Sequence, residues 1–263
     1  MTELSCSGLT PLEVARQAVM AAGEVAVSRF GRPQKVESKG RGNLVTEADK
    51  LAEKAMIDII RQEYPQHNIV SEESEPSLSG SGYTWFFDPI DGTNNYYFGL
   101  PFFAMTASLA RGDEILLGLV YDPLRRELFR AEKGKGAFLN DSPISVGQRT
   151  KLESALIGFD LGYSAEHRRE VLRVAQRLWV DMHSLRVMGS AALGLAYVAA
   201  GRFDLYFHRF LFPWDLIADI LLINEAGGLV TDWEGEPAGV RSTQLIAANR
   251  ALHGEFIKQL RGS

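Results

Sequence analysis

The chain has 263 residues, enough for one large domain or two smaller ones with a substantial core. Its formal net charge of −5 argues against an extended nucleic-acid or anionic-membrane surface, so a phosphate-bearing ligand would need local compensation. Cys6 is the only cysteine, which excludes an internal disulfide and a zinc site made of several thiolates.

The first five residues, 1–5, lack the basic and apolar regions of a secretory signal peptide. No apolar run approaches the ~20 residues that a helix needs to cross a bilayer. We therefore expect a cytoplasmic enzyme with neither a membrane partner nor a nucleic-acid partner.

Two helices are predicted early in the chain. Thr10-Pro11-Leu12-Glu13 combines a capping box with proline at the first helical position, which predicts a helix start. A second helix is predicted to begin at Thr46, with Asp49 in its first turn, where a carboxylate is favoured by the helix dipole. Asp49 precedes Ala52 and Met56 on the apolar face, so its side chain is predicted to point inward, where it needs a partner.

Two polar segments flank this second helix. Residues 35–43 are basic, glycine-rich and aperiodic, and they predict a loop that is either a solvated connection or a flap over an anionic substrate. After a predicted strand at residues 68–71, Glu72-Glu73-Ser74-Glu75 places three acids in four residues. Such a run is most often a solvated loop, and the alternative is that it contributes a metal ligand.

The stretch from Trp85 to Thr93 carries the strongest chemical signal. An apolar run stops at Asp88, and Asp91 follows three residues later. Gly92 and Thr93 then open a turn whose backbone N–H groups could face an anion. Because two carboxylates beside such a turn would repel a phosphate, a divalent cation between them is predicted.

The rest of the chain is predicted to form a meander followed by alternating strands and helices. Short β-rich runs at residues 104–146 predict an antiparallel sheet. A soft boundary near Val146 divides the chain into an N-terminal α+β domain, residues 1–146, and a C-terminal α/β domain, residues 147–263. The predicted C-terminal elements are strands at 155–159, 185–188, 203–207, 229–231 and 245–248, and helices at 166–180, 192–200 and 214–226 before a short final helix.

Several of these blocks resemble the inositol monophosphatase family of magnesium-dependent, lithium-sensitive phosphatases. The family's two signatures resemble Asp88-Pro89-Ile90-Asp91-Gly92-Thr93-Asn94-Asn95-Tyr96 and Trp214-Asp215 with Glu225-Ala226-Gly227-Gly228. Agreement at residues 44–49, 72–74 and 134–140 extends the resemblance over about residues 10–250. The resemblance implies an α+β or α/β layered sandwich, with alternating helix and sheet layers, and a homodimer.

The resemblance also implies a site of oxygen ligands, which suit Mg²⁺. One Mg²⁺ would be held by Glu72, Asp88 and the Ile90 carbonyl. A second would be held by Asp88, Asp91 and Asp215. Glu72 would help to place a third ion through water, so two to three ions are implied. Paired ions of this kind stabilise the entering and leaving oxygens of a phosphoryl displacement.

Further roles around the substrate follow from the resemblance. Asp49 and Thr93 would orient and deprotonate the attacking water, with Glu72 as the third catalytic residue. The backbone N–H groups of Gly92 and Thr93 would hold the phosphate. Together with Asp215, the residues on the alcohol side would be Gly189, Ser190, Ala191 and His208.

Two positions depart from the family pattern. Inositol-specific members carry a glutamate seven residues before Asp215, where this chain has His208 followed by Arg209. These two are either surface or packing residues, or they favour a second anionic group, as in fructose 1,6-bisphosphate or a nucleotide bisphosphate. Asp219 lies four residues after Asp215 on the same helix face, where like charges repel. We expect a basic side chain to pair with Asp219, and the alternative is a contact to a water of the metal site.

The leading hypothesis is a Mg²⁺-dependent phosphomonoesterase, similar to an inositol-1-phosphatase, that hydrolyses a small polyol or sugar phosphate with an activated water. Fructose-1,6-bisphosphatase activity and 3′(2′),5′-bisphosphate nucleotidase activity are alternatives. The nucleotidase ranks lower because no aromatic-and-basic nucleoside pocket stands out in the sequence. A silent metal- or phosphate-binding regulator is the non-enzyme alternative, but it would have no use for Asp49 and Thr93.

Overall fold

The structure, a computed structural model, describes residues 4–33, 35–40, 43–179 and 182–261. Within these ranges the helices are α1 (Pro11–Arg29), α2 (Glu47–Glu63), α3 (Thr93–Tyr97), α4 (Ala165–Leu178), α5 (Ala191–Ala199), α6 (Pro213–Glu225) and α7 (Arg250–Arg261). The strands are β1 (Val36–Gly40), β2 (Asn43–Thr46), β3 (Asn68–Ser71), β4 (Tyr83–Asp91), β5 (Ala104–Arg111), β6 (Glu114–Asp122), β7 (Glu127–Glu132), β8 (Ala137–Leu139), β9 (Ser142–Pro143), β10 (Leu156–Phe159), β11 (Ser184–Val187), β12 (Leu205–His208), β13 (Leu229–Thr231) and β14 (Leu245–Ala248).

The larger sheet has seven strands in the order β3-β4-β5-β6-β7-β8-β9. The β3–β4 pair is parallel and the other pairs are antiparallel. Side chains alternate across β4, so Trp85 and Phe87 share a core with α1 and α2, while Phe86 shares one with α5 and α6. Burial on both faces explains why β4 is a continuous apolar run before its carboxylates.

The smaller sheet has five strands in the order β11-β10-β12-β14-β13. Leu205 and Phe207 of β12 pack with α4 and α7, whereas Tyr206 packs with α5 and α6. Helices α5 and α6 therefore form a layer between the two sheets, with α1 and α2 outside one sheet and α4 and α7 outside the other. This arrangement confirms the predicted layered fold.

Most predicted elements are confirmed, with bounds that shift by one or two residues. The loop prediction for residues 35–43 is wrong in the described part, because β1 and β2 pair as an antiparallel hairpin. Arg41 and Gly42 of that segment, and Val180 of the predicted helix, lie outside the described residues. The short helix α3 was not predicted, and the domain boundary near Val146 stays a prediction.

No helix within the described ranges combines the length and the apolar character that crossing a membrane requires.

Candidate active site

Three aspartates from two distant segments form a cluster. Asp88 and Asp91 lie at the end of β4, and Asp215 lies in the first turn of α6. One carboxylate oxygen from each lies within 4.8 Å of the others. The β4–β5 register is irregular between Asp88 and Asp91, which lets two side chains three positions apart reach the same place. The carboxylate of Asp215 accepts the Phe212 N–H at 2.8 Å and so caps α6.

The electrostatics of this cluster favour a bound cation. Burial raises the pKa of Asp88 well above its usual value, and the carboxylates of Glu72 and Asp91 raise it further. Burial likewise raises the pKa of Asp215, and it raises that of Asp91 to about 6. Among the described residues, no lysine or arginine pairs with these three aspartates. Buried carboxylates that repel one another need a compensating charge, and their hard oxygen atoms fit Mg²⁺.

Glu72 follows β3 and lines the same cavity as the cluster. Lys39 of the β1–β2 hairpin places its Nζ 3.3 Å from Glu72 Oε1 and 2.6 Å from Glu73 Oε1. Burial raises the pKa of Glu72 to about 7, although the charge of Lys39 acts in the opposite direction. The hairpin therefore contacts the acidic part of the cavity through Glu72, the carboxylate that the family resemblance implies as a metal ligand.

Asp49 is buried, as predicted, and meets Thr93. Thr93 Oγ1 lies 3.2 Å from Asp49 Oδ1 and 3.1 Å from the Ile90 carbonyl oxygen. Asp49 Oδ2 accepts hydrogen bonds from the Thr46 N–H at 2.7 Å and the Thr46 hydroxyl at 2.5 Å. Burial raises the pKa of Asp49, while the bonds from Thr46 and Thr93 oppose that rise. One oxygen of this carboxylate thus caps α2, and the other is available to Thr93.

Gly92 forms the turn between β4 and α3. Its φ of +94° lies in the left-handed region that favours glycine. A Cβ at this position would lie 3.0 Å from the Gly189 carbonyl oxygen. The turn therefore needs glycine for its backbone conformation and for its close approach to the segment that precedes α5.

The segment that precedes α5 supports Asp91. Ser190 Oγ donates to Asp91 Oδ2, and the N–H groups of Ala191 and Ala192 donate to the same carboxylate at 3.3 Å and 3.0 Å. Gly189 and Ala191 line the cavity, but Ser190 is buried and faces Asp91. The expectation that Ser190 lines the alcohol side is therefore wrong, because its hydroxyl holds a carboxylate at the start of the helix.

Asp160 supports the same segment and was missed in the sequence. Its Oδ1 accepts the N–H groups of Met188 and Gly189 at 3.1 Å and 2.7 Å, and its Oδ2 accepts the Tyr206 hydroxyl at 2.6 Å. Burial raises the pKa of Asp160 to about 6. Asp160 therefore fixes the segment that in turn fixes Asp91, and no local sequence signal pointed to it.

A cavity of about 550 Å³ opens from the acid cluster. Part of its lining is aromatic, and we call Tyr163, Phe210 and Phe212 the aromatic wall. His167 and Arg168 line the cavity as well. The structure therefore has an aromatic-and-basic lining that did not stand out in the sequence. Phe210 and Phe212, two residues apart just before α6, were the one available signal.

His208 and Arg209 behave differently from each other. His208 is buried, lines the cavity and accepts the Phe210 N–H at Nδ1 over 3.1 Å. Burial lowers the pKa of His208 to about 3, so the ring is neutral. Arg209 pairs with Glu170 at 2.6 Å and covers the Trp233 ring. Of the two alternatives for this pair, the structure favours packing over a second anionic group, because His208 is buried and neutral and Arg209 is paired with Glu170.

Asp219 is fully buried in α6. Neither carboxylate oxygen has a hydrogen-bond partner among the described residues. The expected pairing with a basic side chain is therefore wrong. Burial, followed by the charge of Asp91, raises the pKa of Asp219 well above its usual value.

Comparison with known proteins places this geometry in a family context. The profile of the inositol monophosphatase family matches residues 10–263. The chain is 38% identical over 254 residues to a protein of Aquifex aeolicus (strain VF5) named fructose-1,6-bisphosphatase/inositol-1-monophosphatase. The match covers 95% of this chain and 94% of that protein. It is 37% identical over 254 residues to the protein of Escherichia coli (strain K12) named Nus factor SuhB. That match covers 95% of this chain and 95% of that protein.

A solved structure is similar over the same length. The extragenic suppressor protein suhB from Bartonella henselae superposes with a TM-score of 0.91 and 36% identity. The match covers 95% of this chain and 98% of that one.

Proposed function

Because the chain belongs to the inositol monophosphatase family and is a phosphoric monoester hydrolase, we propose that it hydrolyses a small phosphorylated metabolite with the help of Mg²⁺. The observation that carries the proposal is the buried Asp88, Asp91 and Asp215 cluster beside the Asp49–Thr93 contact. The name of the Aquifex aeolicus relative supports the predicted polyol or sugar phosphate as substrate, and this class stays a prediction.

The proposed metal ligands are all oxygen atoms. Asp88, Asp91 and Asp215 would hold Mg²⁺, with Glu72 and the Ile90 carbonyl as further ligands for two to three ions. When bound, Mg²⁺ offsets phosphate charge and makes a water more acidic. The contacts of Asp91 with the start of α5 would keep that ligand in one orientation.

Thr93 and Asp49 would handle the proton of the attacking water. Thr93 Oγ1 would orient the water by accepting a proton from it while donating its own proton to Asp49 Oδ1, 3.2 Å away. The buried Asp49 has a raised pKa, so it accepts a proton more readily than an exposed carboxylate. Thr46, bonded to the other oxygen, would keep the acceptor oxygen turned toward Thr93.

The phosphate would be held by backbone groups. Gly92 and Thr93 would donate their N–H groups to its oxygens at the turn between β4 and α3. Glycine at position 92 allows the turn to approach the Gly189 segment closely, because a Cβ there would lie 3.0 Å from the Gly189 carbonyl oxygen. Gly189 and Ala191 would then line the path from the phosphate to the alcohol.

A silent regulator is the competing interpretation. The name Nus factor SuhB, carried by the Escherichia coli relative, is compatible with a role besides hydrolysis. The Asp49–Thr93 contact favours an enzyme, because a protein that only binds a phosphate does not need a proton acceptor. The predicted homodimer and the predicted cytoplasmic location stay predictions.

The test of the proposal is phosphate release from inositol 1-phosphate, fructose 1,6-bisphosphate and nucleoside phosphates. We expect release with Mg²⁺, its loss after chelation with EDTA, its return on adding Mg²⁺, and inhibition by Li⁺. No release from any of these esters would contradict the proposed hydrolysis and favour a binding protein.

A further inference from the structure

We propose that Thr106 is a positioning residue for the metal site, because its hydroxyl joins the strand that carries Asp88 to the helix that carries Asp215. This role rests on the proposed Mg²⁺-dependent hydrolysis and adds a residue to it. Thr106 lies in β5, is buried and does not line the cavity that opens from the acid cluster. It would therefore act on the metal through the two aspartates and not by direct contact.

Strand pairing is weakened beside Asp88. Asp88 and Thr106 are partners in the β4–β5 pair, and the register becomes irregular immediately after them. Pro89 has no N–H group to give to a neighbouring strand. The Ile90 N–H donates to Asp88 Oδ1 at 2.9 Å. The backbone that carries Asp88 therefore gains less support from strand pairing than the rest of β4.

The Thr106 hydroxyl makes two hydrogen bonds. It accepts the Asp88 N–H at 3.1 Å and donates its own hydrogen to the Trp214 carbonyl oxygen at 2.9 Å. A hydroxyl has one hydrogen to donate and lone pairs that accept, so both of its roles are filled. Trp214 directly precedes Asp215 at the start of α6. One side chain thus bonds the backbone of one proposed ligand and the residue before another.

A second contact fixes α6 on the same sheet. A Cβ on Gly118 of β6 would clash with the Ala218 carbonyl oxygen, so the helix backbone rests directly on that strand. Ala218 lies four residues after Trp214, which is about one helical turn. The two contacts come from the neighbouring strands β5 and β6. Two contacts one turn apart fix the position of the helix, and Thr106 supplies the one beside Asp215.

The separation of Asp88 and Asp215 decides how well a cation fits between them. Mg²⁺ binds oxygen at about 2.0–2.1 Å and demands near-ideal octahedral geometry. The two carboxylates come from different elements, and an oxygen of each lies within 4.8 Å of the other. Replacing a residue that orients metal ligands typically costs about 10- to 100-fold in metal affinity or activity. Loss of the Thr106 hydroxyl should therefore weaken Mg²⁺ binding although both aspartates remain.

A purely structural role for Thr106 is the competing interpretation. A buried hydroxyl needs hydrogen-bond partners, and Thr106 would then contribute to folding alone. Such a role would lower the unfolding free energy in EDTA without changing the dependence on Mg²⁺. Thr231 provides the matched control, because it is buried in β13 and does not line the cavity. Its hydroxyl donates to the Asp232 carbonyl oxygen at 2.7 Å.

The first test follows unfolding, not activity. Urea midpoints of the wild type, Thr106→Val, Thr106→Ser and Thr231→Val are measured in EDTA and at increasing Mg²⁺, since an ion that binds the folded state raises the midpoint. Thr106→Val should need about ten-fold more Mg²⁺ for the same rise, whereas Thr106→Ser keeps the hydroxyl and should stay within about three-fold. Thr231→Val should match the wild type. An unchanged Mg²⁺ dependence in Thr106→Val, or equal weakening in Thr106→Ser, would overturn the inference.

The second test measures phosphate release against Mg²⁺ concentration, with the ester that the wild type hydrolyses fastest. Thr106→Val should shift half-maximal release to about ten-fold higher Mg²⁺ and keep kcat within about three-fold at saturation, because every proposed ligand is still present. A loss of kcat that saturating Mg²⁺ does not restore would contradict the positioning role. If Thr106→Val does not fold, Thr106→Ala gives the same comparison.

The two tests separate the role of Thr106 from the proposed hydrolysis. Weaker Mg²⁺ stabilisation of Thr106→Val, in a protein that releases no phosphate from any ester, would support the positioning role and contradict the phosphatase function. Phosphate release by the wild type, with equal Mg²⁺ affinity in Thr106→Val, would support the phosphatase function and contradict the positioning role. Absence of any Mg²⁺ effect on the unfolding of the wild type would also overturn the inference.

Discussion

The acid side of the cavity and its aromatic wall are built by different means. Asp88, Asp91 and Asp215 stand where a strand ends or a helix begins, and backbone N–H groups hold Asp91 and Asp215. The aromatic wall projects from the loops after β10 and β12, and its phenylalanines are held by other rings. The acid side thus depends on the backbone geometry of β4 and of the starts of α5 and α6. The wall depends on side chains that can change without moving the acids.

The sharpest way to separate the two regions is to remove a proposed metal ligand. Asp88→Asn should lower kcat/KM at least about 1,000-fold for every phosphate ester that the wild type hydrolyses, because all of them need the same cation. It should leave the unfolding free energy of the metal-free protein unchanged or raised, because one of several repelling buried carboxylates is gone.

Phosphate release and urea unfolding in EDTA measure the two effects of Asp88→Asn. Asp58→Asn, an exposed acid paired with Lys54 on α2, is the control and should change neither. Substantial turnover by Asp88→Asn would remove Asp88 from the set of required ligands.

Thr93 tests the proton path within the acid side. Thr93→Val should reduce kcat about 100-fold with little change in KM, because the hydroxyl between the water and Asp49 is lost. Thr93→Ser keeps a hydroxyl and should stay within about ten-fold of the wild type. Stopped-time phosphate assays give both constants, and a Thr93→Val enzyme as fast as Thr93→Ser would contradict the proposed path.

Asp219 lies in the same helix as Asp215 but outside both regions. Asp219→Ala should keep Mg²⁺-dependent turnover within about ten-fold, because Asp219 does not line the cavity that opens from the acid cluster. Its unfolding free energy should change by about 1 kcal/mol or less, since the lost packing is offset by removal of an unpartnered polar group. Near-complete loss of activity in a folded variant would make Asp219 part of the site.

The smallest effect on activity is expected at His253, because this residue contributes to stability and belongs to neither the acid side nor the aromatic wall of the cavity. Its Nε2 lies 2.8 Å from Thr231 Oγ1, and burial lowers its pKa to about 4. The unfolded histidine takes up its proton near pH 6.5, so the wild type should lose stability as pH falls from about 6.5 to about 4.

Urea unfolding at pH 7 and pH 5 measures that loss, which should be up to about 2 kcal/mol greater in the wild type than in His253→Gln. Mg²⁺-dependent phosphate release at pH 7 should be equal in the two proteins. An identical pH dependence of unfolding would show that His253 is not buried as a neutral ring.

The acid side could be predicted because its signals are local or belong to recognisable motifs. Asp88, Asp91 and Thr93 occupy one short run, and the capping pattern at Thr46 placed Asp49 at a buried helix start. Asp215 lies far along the chain and was connected to the others by family resemblance. Ser190 shows the limit, since a motif places a residue near a site without saying which group its hydroxyl will meet.

The aromatic wall could not be predicted in the same way. Tyr163 and Phe210 line the same cavity because β10 and β12 are neighbouring parallel strands, and strand order is not contained in local periodicity. The β1–β2 hairpin was missed because β1 is exposed along nearly its whole length and has no apolar alternation. Helical spacing put Asp219 on the face of Asp215, but it could not show that the Asp219 carboxyl has no hydrogen-bond partner among the described residues.

The contact between Gly92 and Gly189 limits how this chain could recombine with its relatives. The two glycines come from distant parts of the sequence, and a Cβ on Gly189 would lie 2.9 Å from Asn95 Oδ1. A chimaeric protein that joins the first half of one relative to the second half of another would keep the close approach of these two segments only if both positions are glycine. Exchange of the loops that carry the aromatic wall avoids that contact. New substrate preferences could therefore arise by loop exchange, while the hydrolytic centre is inherited as one unit.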